Sequence, residues 1–210
     1  MSYVMPQFPL EIVAFPGGKL PLHIFEPRYK QLAKECFEQN SLFGIIPVIK
    51  GSLQSVGTSM TVVKVAKTYP DGRMDIITQG IGLFKVLDFH KLAGDKLYPE
   101  AVVEDLQTDE VVNQKQADRI IILLKQLYSI MGIEKSLEEI HIQTPYDIAR
   151  VIGLEIDQSY HLLQMKSLSE RQKKIIEHLE KIIPQIKEAH ENKKRIEMNG
   201  RFLHLNPPKI

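Results

Sequence analysis

The stretch FPLEIVAFPGGKLPLHIFEPRY, from Phe8 to Tyr29, constrains the fold of this chain most. Two apolar runs of strand length, Leu10–Phe15 and Leu20–Phe25, flank Pro16-Gly17-Gly18, a sequence that punctuates a chain into a turn. Glu26-Pro27-Arg28-Tyr29 then opens a helix. Proline is tolerated at the first helical position, where its missing N–H has no intrahelical partner anyway. A carboxylate just before it suits the positive end of the helix dipole. The segment predicts strand, glycine turn, strand and a proline-started helix.

The helix extends over Pro27–Asn40, with Tyr29, Leu32, Ala33, Cys36 and Phe37 on one face. Leu42–Ile49 is a continuous apolar run suited to a buried strand, in which Pro47 demands a bulge or an edge position. Gly51–Gly57 reads as a polar connection and Thr58–Thr68 as an alternating strand whose one face is only partly apolar. Tyr69-Pro70-Asp71-Gly72 is a hairpin turn, because Asp-Gly tolerates the positive φ it needs. Arg73–Thr78, Leu83–His90 and Lys96–Leu106 continue as strands, the first two separated by Gln79-Gly80-Ile81-Gly82, which reads as a strand bend. A series of short strands with turn signals and one inserted helix argues for a curled or barrel-like β unit.

From about Asp109 the pattern becomes helical. Ile120, Ile121, Leu123, Leu124, Leu127, Tyr128 and Met131 mark an amphipathic helix that Gly132 terminates. Thr144-Pro145 starts another through Val151, and Ile156–Met165 forms a short one. Ser167 or Ser169 caps a long last helix carrying Ile175, Ile176, Leu179, Ile182, Ile183 and Ile186, which Pro184 should kink or break. Glu170–Lys174, Glu177–Lys181 and Glu191–Arg195 are spaced as i,i+4 pairs along it. Asn199–Ile210 has no periodicity.

An ordered set of motifs resembles the Lon-protease N-terminal domain, the substrate-engaging region that precedes the ATPase in that protease. The matching residues are Phe8-Pro9-Leu10, Phe15-Pro16-Gly17, Leu20-Pro21-Leu22-His23-Ile24-Phe25-Glu26-Pro27-Arg28-Tyr29 and Phe43-Gly44. Later echoes are Val56-Gly57-Thr58, Pro70-Asp71-Gly72-Arg73 and Gly80-Ile81-Gly82-Leu83-Phe84. The structural heart of the resemblance is Phe25, Glu26, Pro27, Arg28 and Tyr29. It implies an α+β protein: a PUA-like curled β-barrel with one inserted helix, then an α-helical bundle with a long final helix. The expected division is a β-rich subdomain at 1–108, a helical subdomain at 109–198 and a C-terminal arm at 199–210. The resemblance implies a stand-alone member of the family, without the ATPase and protease domains.

Chemistry-bearing motifs are sparse. Gly18-Lys19 is followed by Leu20, and Val13 stands where a phosphate-binding loop needs its first glycine. His190-Glu191 lacks the second histidine of a zinc-protease helix. With one cysteine, Cys36, and scattered histidines, no metal, cofactor or catalytic residue is expected, and Cys36 reads as a buried small hydrophobe. His23 reads as a solvent-facing or hydrogen-bonded strand residue. Glu26 and Arg28 read as a helix cap and a charged tie to the barrel rather than as an acid–base pair. A net charge of +1 gives no global reason for a nucleic-acid or membrane partner. No apolar run approaches the ~20 residues that span a bilayer, and no secretory leader pattern is present, so a cytoplasmic protein is expected by exclusion.

The functional expectation is a non-enzymatic module that binds unfolded or extended protein segments. The resemblance adds an adaptor role, with a protease or chaperone as a further partner. The candidate peptide-binding residues are Phe15, Pro16, Leu20, Leu22, Met60 and Tyr69, through addition of an extended peptide to the sheet. The alternative is an RNA-binding PUA-like protein. It wants a basic face with stacking aromatics, and the β region sets Lys64, Lys67, Arg73, Lys85 and Lys91 against six acidic residues, leaving little salt-dependent affinity.

Overall fold

The computed structural model describes residues 1–90, 95–133 and 144–202. These divide into two compact units. One comprises Met1–Asp109 with Tyr146–Ser167, and the other is built on the two longest helices. Segment 146–167, expected among the helices of the second part, groups with the strands.

The first unit contains β1 (Ser2–Leu10), β2 (Lys19–Ile24), α1 (Pro27–Glu38), β3 (Phe43–Ile49), β4 (Ser52–Leu53), β5 (Val56–Thr68), β6 (Met74–His90) and β7 (Glu100–Asp105). The strands pair in the order β1-β7-β6-β5-β3, and β1 pairs β3 in parallel, so five strands close on themselves as a barrel. The other pairings in the ring are antiparallel. Inside it, Met5, Ile46, Phe84, Ala101 and Val103 form one core cluster, contributed by strands from around the ring. A second cluster lies beneath α1, where Tyr29, Leu32, Ala33 and Cys36 meet Phe8, Ile24, Ile45, Met60, Val62 and Ile76.

Several sequence expectations change. The first strand is Ser2–Leu10, not Leu10–Phe15: residues 11–18 form a loop whose apolar members Ala14 and Phe15 are nonetheless buried. This loop is fixed by Thr58 Oγ1 donating to the Ala14 carbonyl (2.7 Å) and by Gly17 N–H donating to Gly80 O (2.9 Å). The strands expected at Arg73–Thr78 and Leu83–His90 are one continuous strand, β6 (Met74–His90), in which Gly80 marks a close crossing. A Cβ there would lie 3.0 Å from the Phe15 carbonyl carbon and 3.1 Å from Pro16 Cα. The expected bend is a bulge: Ser59 pairs Gly82 and Met60 pairs Gly80, leaving Ile81 unpaired. The connection after β3 holds a two-residue hairpin, in which Lys50 and Gly51 take φ of 52° and 76°. Pro47 pairs Leu10 at the end of the β1–β3 ladder, where no neighbour needs its N–H.

Helices α3 (Pro145–Ala149) and α4 (Ile156–Gln164) complete this unit. Tyr160 Oη accepts from the amides of Ser55 and Val56 (3.3 and 3.2 Å), and Lys50 pairs Asp157 at 2.7 Å, which fixes α4 to the strands. Phe15 stacks on Tyr146 with ring centroids 5.2 Å apart.

In the second unit, α2 (Gln114–Met131) starts at Asn113, whose side chain accepts from Gln116 N–H, and ends at Gly132 with φ 67°. It packs against α5 (Leu168–Phe202), burying Ile120, Leu124, Ile175, Leu179 and Ile183. Glu180 of α5 accepts from Arg119 of α2, and Glu110 pairs the fully buried Arg171 at 2.6 Å. The helix continues through Pro184, which is exposed one residue beyond buried Ile183. Lys174 pairs forward with Glu177 (3.3 Å). Positions 203–210 of the expected arm lie outside the described residues.

Candidate protein-interaction surface

Among the described residues β2 pairs with β6 alone, and the same half of β6 pairs on its other side with the distal half of β5. These three segments form a small sheet extending from the ring. Alternation along β2 sends Leu20, Leu22 and Ile24 towards the core beneath α1 and leaves Lys19, Pro21 and His23 exposed. Laterally paired residues share a face. The outward face therefore carries three rows: His23–Asp75–Lys67, Pro21–Ile77–Lys64 and Lys19–Gln79–Thr61.

One end of this face is aromatic. His23 Nδ1 lies 2.6 Å from Asp75 Oδ1, and Tyr69 Oη donates to Asp75 Oδ2 at 2.8 Å. Those two hydrogen bonds, His23 first, hold the Asp75 carboxyl below its usual range. The His23 ring meets the edge of Tyr69 at 5.8 Å and stacks on Phe25 at 6.3 Å. Lys67 and Arg73 lie 4.3 and 5.3 Å from the Tyr69 centroid, within cation–π range. Phe25 is 60% exposed, unusual for a phenylalanine on a folded domain.

Neither edge of this small sheet invites a further strand. Pro21 has no amide to donate from the middle of β2. β5 carries two bulges, at Val62/Lys64 and Val65/Lys67, with lysines beside them. Proline, bulges and lysines are the devices by which sheet edges avoid pairing with other chains.

The six candidate residues do not form one surface. Phe15 is buried in the loop beneath Tyr146, and Met60 is fully buried in the core. Leu20 and Leu22 are half-buried on the inner face, Pro16 is half-buried at the Gly80 crossing, and Tyr69 alone reaches the outward face. Within the helix-start motif, Tyr29 is buried and stacks on Phe8 at 3.9 Å. Glu26 makes no side-chain cap: its carboxylate accepts from Arg28 Nε (2.8 Å), while its carbonyl accepts from Tyr29 and Lys30. The expected Arg28 tie to the barrel is a pair within the motif. Sequence reasoning left Lys19, Phe25, Lys64 and Lys67 out of the candidate protein-binding residues. The signal for Phe25 was available, since it shares the outward parity of Lys19, Pro21 and His23.

A second polar cluster holds α1 to the chain before β7. Glu35 accepts from Lys96 Nζ and Tyr98 Oη, both at 2.6 Å, and from Gln31 Nε2 at 2.9 Å. These bonds, Lys96 foremost, draw its pKa from 4.5 down to about 2 despite partial burial. Beside it, burial pushes the Cys36 thiol up, away from reactivity. Among the described residues, no group of three or more histidine, cysteine or acidic side chains could hold a metal, and no helix is long and apolar enough to cross a membrane.

Fold and face define a β-barrel domain that carries a cationic sheet beside its ring. The family model described as the "ATP-dependent protease La (LON) substrate-binding domain" matches residues 4–181, and the chain belongs to that family. It is 30% identical over 133 residues to a Lon protease of Anaeromyxobacter dehalogenans (strain 2CP-C), covering 59% of this chain and 15% of that protein's length. Its fold is that of the crystal structure of a Lon N-terminal domain protein from Xanthomonas campestris (TM-score 0.64, 20% identity, 83% of this chain and 97% of that one). It is also that of the N-terminal domain of a Mycobacterium avium complex Lon protease (TM-score 0.65, 15% identity, 85% and 98%).

Proposed function

We propose that this chain is a non-enzymatic recognition module that engages unfolded or extended protein segments and presents them to a partner such as a protease or chaperone. The observation that carries this reading is membership of a substrate-binding domain family over residues 4–181. Pro16, Leu20, Leu22 and Tyr69 are the candidate residues that retain some exposure. The test is fluorescence anisotropy of labelled α-lactalbumin titrated with the purified chain. Saturable binding to the reduced, carbamidomethylated protein and none to its native form is expected. Equal binding to both forms, or to neither, overturns the proposal.

A further inference from the structure

Resting on that reading, we propose that the outward face of β2, β6 and distal β5 selects acidic extended segments, engaging their carboxylates with Lys19, Lys64 and Lys67. Each acid of this region already has a partner, and two of the three are paired by arginines. Asp75 is bonded to His23 and Tyr69, Asp71 pairs Arg73 at 2.6 Å, and Glu26 pairs Arg28 at 2.7 Å. The three lysines are exposed, and none has a carboxylate within ion-pair distance among the described residues. Three lysines therefore stand against one carboxylate that no arginine pairs, Asp75 beside Lys67, so positive charge remains for a partner although the whole chain carries only +1.

The spacing sets the partner's form. Lys64 and Lys67 stand opposite Ile77 and Asp75, two residues apart on β6, because the bulge at Val65/Lys67 absorbs the odd residue. Two residues of strand span about 7 Å, the distance between side chains on one face of any extended chain. A segment with carboxylates at alternate positions matches this repeat. Since proline and bulges blunt both edges, it lies across the face through its side chains. RNA is less suited: Lys67 and Arg73 flank the Tyr69 ring and His23 meets its edge, so the ring is not free to stack a base.

The test titrates the intact chain into fluorescein-labelled dodecapeptides of alternating Glu-Thr or Lys-Thr, with unfolded α-lactalbumin and a dodecamer of uridine alongside. The Glu-Thr peptide should bind at least tenfold more tightly than the Lys-Thr peptide. Lys64→Glu with Lys67→Glu should weaken it about tenfold or more with the thermal midpoint unchanged, and Lys64→Gln with Lys67→Gln should do so to a smaller degree. Equal affinity for the two peptides, or indifference to both double variants, overturns this inference. If unfolded α-lactalbumin still binds, the recognition reading stands without it. Loss of binding to every polypeptide overturns both, and preference for the uridine oligomer assigns the face to nucleic acid instead.

Discussion

Alanine at position 44 probes how the barrel interior is filled. A Cβ on Gly44 would lie 2.5 Å from Phe84 Cζ and 2.8 Å from Cε1, and it would also meet the Gln7 side chain. Ordinary carbon contacts are about 3.5–4 Å. A Cβ on Gly57 would meet the same ring edge, 2.5 Å from Cζ, but also the Ile45 carbonyl oxygen at 2.6 Å. Both glycines thus make room for one fully buried ring, yet only the obstacles at Gly44 are all side chain. Overpacking of this kind costs about 1–3 kcal/mol, and we expect roughly 2 for Gly44→Ala. Phe84→Leu, which leaves a partly filled cavity, should cost about 1.5 kcal/mol. Independent effects would sum to about 3.5 kcal/mol; the new methyl occupies space the ring vacated, so the double variant should lose only about 2. Gly57→Ala with Phe84→Leu should stay additive within about 0.5 kcal/mol, since the Ile45 carbonyl is backbone and does not yield. Urea unfolding followed by far-UV circular dichroism and tyrosine fluorescence gives all five variants. Additivity for the Gly44–Phe84 pair would refute the argument that the Phe84 ring fills the space beside Gly44.

Glu35 supplies a pH test. Its folded pKa, about 2, lies below the unfolded 4.5, so its contribution is fully present above pH 4.5 and is lost as pH falls towards 2. Wild-type stability should therefore drop relative to Glu35→Gln across that window, measured by urea titration at stepped pH; parallel profiles would remove the role assigned to Lys96 and Tyr98. Pro21→Thr restores a donor to the β2 edge and should promote self-association on sedimentation velocity without lowering the thermal midpoint. A variant that stays monomeric at high concentration would show that proline is not what guards this edge.

Features set by neighbouring residues were legible in the sequence. Pro27 at the start of α1, Gly132 at the end of α2 and the hairpin turn at Tyr69–Arg73 each follow from backbone constraints within a few positions. The run Leu10–Phe15 misled because apolar residues in a loop can be buried as fully as those in a strand: Phe15 is covered by Tyr146, far along the chain. Alternation also failed in the long strands. Val63, Ile81 and Leu87 are 48%, 53% and 49% exposed, although apolar residues in a barrel strand are expected inside. Each sits at a register shift of β5 or β6, where the ladder skips a residue and the strand leaves it outside. Nothing in the local pattern marks such a skip.

The candidate surface was the least legible part. Its rows join β2 to residues more than 40 positions away on β5 and β6, so the cationic face exists only once those pairings form. Sequence alone determined the start of α1, the end of α2, the hairpin chemistry at Tyr69–Arg73, the barrel-like class and, through ordered motifs, the family, whereas α5 runs on through Pro184, where a kink or break was expected. Tertiary structure decided the closure of β1 on β3, the membership of 146–167 with the strands, and which apolar residues face out. The physical division is one of range: backbone restrictions act within a turn, whereas register, bulges and shared faces are fixed by partners brought together only by folding.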